Sequence, residues 1–164
     1  MNDRLLQVYL RDHFAGSAAG LALVRRCRRN NPELDAELAD IESEIDADRQ
    51  SLLVIMSRLG VTPSTFKAAL GSFAEFLGRL KANGRIVRSS PLSPLVELEG
   101  LSAGIFTKGN LWRSLSAAAG SHHAFDVGEL DVLLQRATSQ LERVAVLHDR
   151  VAASVFEVSR VGGR

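Results

Sequence analysis

The sequence predicts an all-α protein, a four-helix bundle with an additional short crossover helix. Three observations predict it. Apolar residues recur at helical spacing almost without interruption, and no useful length alternates as a strand would. The breaks divide the chain into four long segments and one shorter one. At 164 residues the chain fits one domain able to bury roughly 70% of its unfolded surface. We expect that domain over 1–158, with 159–164 as a flexible tail.

The first helix is expected over about 2–29, with Leu6, Leu10, His13, Ser17, Gly20, Val24 and Cys27 on one stripe in a repeating 4-3 step. "RNNP" ends it, and Asn31 as cap with Pro32 in the first turn restarts the chain. The second helix, about 32–59, carries Leu34, Leu38, Ile41, Ile45, Asp48, Leu52, Ile55 and Leu59, and stops at Gly60. Two helices of similar length with so short a joint form an antiparallel hairpin. "VTPST" then opens the crossover helix, about 64–82, with Phe66, Leu70, Phe73, Leu77 and Leu80 on one face.

After the connector "RIVRSSPLSP", Ser93-Pro94 reads as the cap and first turn of the third long helix, about 94–119. Its stripe is Leu98, Leu101, Ile105, Trp112 and Leu115. The fourth, about 127–158, has the clearest start signal: Asp126 and Glu129 form a capping box, and Phe125 can staple onto Leu130. Leu133, Ala137, Gln140, Val144, Leu147 and Val151 continue the stripe. The connection from Gly60 to about Ser93 is long enough to cross the bundle, which makes the second and third long helices parallel.

Bulk properties exclude several function classes. Twenty basic groups nearly balance 19 acidic ones, so the net charge of +1 gives no general attraction to nucleic acid or anionic membrane. Cys27 is the only cysteine, which rules out an internal disulfide and fits a reducing compartment. No run approaches the roughly 20 apolar residues of a membrane span, and the N-terminus lacks a signal-peptide pattern. We expect a cytoplasmic protein with neither a nucleic-acid nor a membrane partner.

Isolated motifs carry plain explanations. The arginines of "RRCRR", Arg25 to Arg29, complement the helix dipole at a C-terminus. His122 and His123 fall in a loop with no third ligand at metal-site spacing. His148 lies six residues after Glu142, on a different helix face. Gly16 with Gly20, and Gly100 with Gly104, are expected to let the first and third long helices approach closely, with a channel for a small ligand between them as the lesser alternative. Tyr9 and Trp112 read as core aromatics whose polar tips need partners. Nucleophilic catalysis finds no support: there is no Gly-x-Ser-x-Gly, and Cys27 sits where the dipole disfavours a thiolate.

One residue breaks the pattern. Asp48 stands on the apolar stripe of the second helix, where a carboxylate needs compensation. Counting residues from the helix ends, at about 1.5 Å of rise each, brings four inward-pointing polar residues to one level: His13, Asp48, Lys108 and Gln140. Asp48 is then a member of a buried ion pair, a metal ligand or a solvated edge residue. A protonated Lys108 would supply the charge Asp48 lacks, so the ion pair is the leading expectation, with His13 and Gln140 satisfying leftover hydrogen bonds.

The four-long-helix layout with its long middle crossover, together with "ADRQSL" and "SQLERV", resembles the ferritin-like superfamily. Members with a di-metal centre draw a Glu from two helices and a Glu-x-x-His from each of the other two. By that resemblance His13 takes the place of the first Glu. Asp48 with Ser51 replaces one Glu-x-x-His, Gln140 with Arg143 replaces the other, and Lys108 (alternatively Glu99 or Glu97) stands for the remaining Glu. One carboxylate, one imidazole, an amide and a lysine are too few anionic ligands for two divalent cations. The resemblance therefore implies a bundle that has lost its di-metal centre and needs no cofactor. It would act as a non-enzymatic binding or structural protein, with any small-molecule ligand left open. Leu53 and Met56, apolar beside Leu52 and Ile55, suggest a homodimer. The alternative is a metal-handling protein for iron or manganese oxidation or storage, with His13, Asp48 and Glu99 as ligands.

Overall fold

The computed structural model describes residues 3–63, 92–121 and 124–161, and every regular element among them is helical. These are α1 (Asp3–Asn30), α2 (Asp35–Arg58), α3 (Ser93–Ala118) and α4 (Val127–Val161). Short 3-10 turns at Pro32–Leu34 and Ala119–Ser121 join them. The crossover helix expected over about 64–82, its connector, and His122 and His123 lie outside the described residues. No helix among the described residues is long and apolar enough to cross a membrane.

Boundaries shift where side chains find better partners than a cap. Asn31 does not cap α2; its Nδ2 donates to the Cys27 carbonyl at 2.7 Å and to Glu97 Oε2 at 3.2 Å. Pro32 accordingly starts a 3-10 turn, and α2 begins at Asp35. Leu92 occupies the cap position of α3, so Ser93 is already helical and Pro94 sits in the first turn. At α4, Asp126 Oδ1 accepts from the amides of Gly128 (2.8 Å) and Glu129 (3.2 Å). The Glu129 carboxylate turns to Arg58 at 2.5 Å rather than closing a capping box. Helix α4 continues to Val161, so residues 159–161, expected in the tail, are helical.

The end of α2 is a Schellman motif. Val61 N donates to Met56 O at 2.9 Å and Gly60 N to Ser57 O at 3.0 Å, with Gly60 at φ 65°. Val61 and Met56 are both buried. Met56 therefore belongs to the core and not to a free face, which removes it from the grounds for a helix-face dimer.

Cross-helix pairs fix the directions. On α1 and α2, Arg25 meets Glu42 and Ser17 meets Arg49, so these helices are antiparallel. Tyr9 meets Ser114 and Arg26 meets Glu97, which sets α3 antiparallel to α1. Arg58–Glu129 and Arg150–Glu37 set α4 antiparallel to α2. Helices α2 and α3 thus run parallel, each flanked by α1 and α4. The backbones of α3 and α4 come close at Gly109, where an added Cβ would lie 3.7 Å from Ala137 Cβ. Helices α2 and α4 are bridged mainly by long charged side chains.

The expected stripes are the core for α2, α3 and α4: Leu38, Ile41, Leu52, Ile55, Leu98, Leu101, Ile105, Leu115, Leu133, Val144 and Leu147 are all buried. Helix α1 differs in its middle, where His13, Ser17 and Gly20 are only half-buried.

Because only glycine holds φ near +65° without a Cβ clash, Gly60→Ala should lower stability by about 1 kcal/mol. Urea unfolding of the two proteins measures this, and an unchanged midpoint would show that the turn adapts.

Candidate functional site

The centre of the bundle is built on charge compensation. Asp48, on α2, is 1% exposed, and its hydrogen-bond partners come from α3 and α4. The Lys108 ammonium donates to Asp48 Oδ2 and to Gln140 Oε1. Arg136 donates to Asp48 Oδ1 at 2.8 Å, and Gln140 Nε2 lies 3.4 Å from Oδ2. The same Gln140 amide donates to Glu44 Oε2 at 2.9 Å, and Arg143 also donates to Glu44. Both carboxylates are therefore shared among cations and one amide. Burial lowers the pKa of Lys108, and its attraction to Asp48 works against that. Burial pushes Glu44 up, but hydrogen bonds from Gln140 and Arg143 outweigh it and hold the carboxyl below its ordinary value.

Of the four polar residues expected at one level, Asp48, Lys108 and Gln140 are joined by hydrogen bonds. His13 is not part of the network. Its ring packs edge-on against Tyr9, with centroids 4.5 Å apart, and makes no hydrogen bond among the described residues. Three network members, Glu44, Arg136 and Arg143, stand three or four residues from Asp48 or Gln140 on the same helix faces. That spacing is the signal by which Glu44 and Arg136 could have been found. Ser51 donates to the Ala47 carbonyl at 3.1 Å and takes no part.

A second buried carboxylate closes one end of the bundle. Glu97, 5% exposed, accepts from Arg26 Nε at 2.8 Å, Asn30 Nδ2 at 2.7 Å and Asn31 Nδ2 at 3.2 Å. It is committed to α1 and stands apart from Asp48. Arg25 and Arg28 pair with Glu42, and Arg28 also with Asp35. Three arginines of "RRCRR" thus act as structural partners. Cys27 is fully buried, and its pKa is pushed up to about 12 by burial and by the nearby Glu97.

The donors do not fit a metal centre. Both Asp48 oxygens accept from cationic side chains, and no group of three His, Cys, Asp or Glu residues among the described residues could hold a metal ion. Glu99, the third ligand of the iron or manganese alternative, is exposed and faces His148 at 3.6 Å.

Beside the network lies a cavity of about 400 Å³ between α1, α2 and α3. His13, Asp48, Lys108 and Trp112 reach it, and Gly16, Gly20, Gly100 and Gly104 line it. Gly16, Gly20 and Gly104 leave open space along the α1–α3 seam rather than closing it. A Cβ added at Gly16, Gly20 or Gly104 would meet nothing within 4 Å. The missing side chains leave a slot, open where Gly16 and Gly104 are exposed. Arg49 closes one side, stacked 3.9 Å from the Phe14 ring centroid and bonded to Phe14 O and Ser17 Oγ. Tyr9 finds Ser114 Oγ at 3.2 Å, whereas Trp112 Nε1 is buried with no partner among the described residues.

Removing Lys108 leaves Asp48 buried with Arg136 as its remaining cation, so Lys108→Met should cost about 3 kcal/mol and Lys108→Glu more. Replacing both Asp48 and Lys108 by leucine should restore much of that loss. Urea titrations give all these values, and a Lys108→Met protein as stable as its parent would show the pair to be dispensable. His13 supplies a pH test. Burial lowers its pKa below 6.5, against a smaller pull from Asp12. The unfolded chain therefore takes up this proton first as the pH falls. Its contribution to stability is full above that value and declines below it. Between pH 7.5 and 5.5 the loss of stability should be smaller in His13→Phe than in the parent. Equal slopes would place the titration elsewhere.

Comparison with models of protein families, with curated proteins and with solved structures gives no match to this chain.

Proposed function

We propose that this protein is a non-enzymatic binding protein, a helical bundle of ferritin-like layout. In it a buried ion-pair network has taken the place of a di-metal centre, and the neighbouring cavity receives a small molecule. The observation that carries this is the cavity of about 400 Å³ meeting Asp48 and Lys108 in the middle of the bundle. Ligand sites in bundles are commonly built between helices, at volumes of roughly 300–1,000 Å³.

The side chains at the centre support binding more than chemistry. Asp48 is engaged on both oxygens, and the Lys108 ammonium sits where a metal ion would otherwise balance its charge. Cys27 is held as a buried thiol. Parallel α2 and α3, each flanked by α1 and α4, agree with the ferritin-like layout. A homodimer belongs to the same proposal, supported by the large apolar side chains left exposed at Val8, Phe106 and Phe156.

Elemental mass spectrometry of the purified protein, before and after incubation with ferrous iron in air, should find far less than one metal ion per chain. A stoichiometric metal lost in Asp48→Ala would overturn the ion-pair centre and return iron or manganese chemistry to it. Sedimentation equilibrium should give twice the chain mass, and a monomer across the accessible concentrations would remove the dimer.

A further inference from the structure

The cavity beside Asp48 has hydrogen-bond donors to spare. The Lys108 ammonium has three protons, of which Asp48 and Gln140 accept two. His13, whose pKa burial lowers, has a ring N–H that nothing among the described residues accepts. Asp48 and Ser17 on the same walls are already engaged as acceptors. Asp48 Oδ1 receives Arg136, Oδ2 receives Lys108, and Ser17 Oγ receives Arg49 at 2.6 Å.

Charge narrows the ligand further. Asp12 and Asp48 balance Arg49 and Lys108 around the cavity, so an ion finds no excess of the opposite sign. The remaining walls are largely carbon, from Leu23, Ile45, Leu52, Leu101, Ile105 and Leu111. The slot at Gly16, Gly20 and Gly104 leaves room between two helix backbones for a flat hydrocarbon body.

From the donors, the balanced charge and the slot we infer that the cavity takes an uncharged, mostly hydrocarbon molecule carrying a hydrogen-bond acceptor, of the aryl ketone or quinone class. Its carbonyl oxygen accepts from Lys108 or His13, and its body fills the glycine slot. This rests on the binding function proposed above and specifies its ligand.

Trp112 is the only tryptophan in the chain, so its emission reports from the cavity wall. The test titrates the full chain with benzophenone, with diphenylmethane, which lacks the carbonyl, and with diphenylacetate, which is anionic. Isothermal titration calorimetry runs alongside the fluorescence. Benzophenone should bind saturably, and diphenylmethane and diphenylacetate each more weakly by roughly tenfold, the equivalent of one hydrogen bond or more. Gly104→Leu and Gly16→Leu fill the slot from open backbone positions on opposite helices. Each should remain folded, as judged by helical circular dichroism and melting, and lose benzophenone binding.

Each contrary result has its own meaning. Equal binding of benzophenone and diphenylmethane overturns the acceptor-bearing ligand and leaves the cavity as a binding site. Tighter binding of diphenylacetate overturns the uncharged class. Benzophenone binding that survives in both folded leucine variants moves the site elsewhere. No saturable binding of any of the three overturns the binding function itself.

Discussion

Burying the Asp48 carboxylate sets the terms for the rest of this bundle. A charge at 1% exposure is tolerable only if cations and donors surround it, and no single helix can provide them. Lys108 comes from α3, and Arg136 and Gln140 from α4. The pair therefore constrains the relative height of three helices at once. A slip of one turn along α4 would carry Gln140 about 5.4 Å from its partners. Hydrophobic stripes are more forgiving, because one leucine replaces another at a neighbouring turn with little change in buried area. In this bundle the polar centre selects the register, and the apolar residues supply most of the driving force.

The same centre explains why the middle of the bundle is not filled. Around Asp48 and Lys108 the α1–α3 seam is lined by glycine on both helices. Glycine in a helix costs roughly 0.5–1 kcal/mol relative to alanine, so several together weaken α1 and α3 locally. Alanine would fit at Gly16, Gly20 and Gly104 without meeting another atom. Packing thus gives no reason for glycine at these positions, whereas open volume does. Gly109 shows the contrast: there the Cβ position is already in ordinary contact with Ala137, and the helices are close.

The two buried carboxylates play different parts. Glu97 ties the C-terminal end of α1 to the first turns of α3 through Arg26, Asn30 and Asn31. Asn31 is the hinge of that arrangement, since bonding back to Cys27 O and across to Glu97 prevents it from capping α2. Asp48 does its work in the middle of the bundle beside open volume. One carboxylate fixes an end, and the other stands beside a cavity that its counter-ion Lys108 also lines.

Much of this was legible in the residues alone. Helical periodicity gave the four long helices, and Gly60 and Asp126 marked two of their ends, because both are local signals that need no knowledge of the neighbours. Asp48 on an apolar stripe announced a buried charge, and counting residues at constant rise found Lys108 and Gln140 on two other helices. Tertiary structure decided the rest. His13 shared the right level yet turned to Tyr9, because level along a helix says nothing about azimuth. Glu97 and Glu99 were indistinguishable as candidates by spacing, and only packing buried the first against Arg26 and exposed the second beside His148. The glycines fitted a close approach or a gap equally well. Which of these they made depended on how far apart the helices stood, and that distance is set by side chains elsewhere in the core.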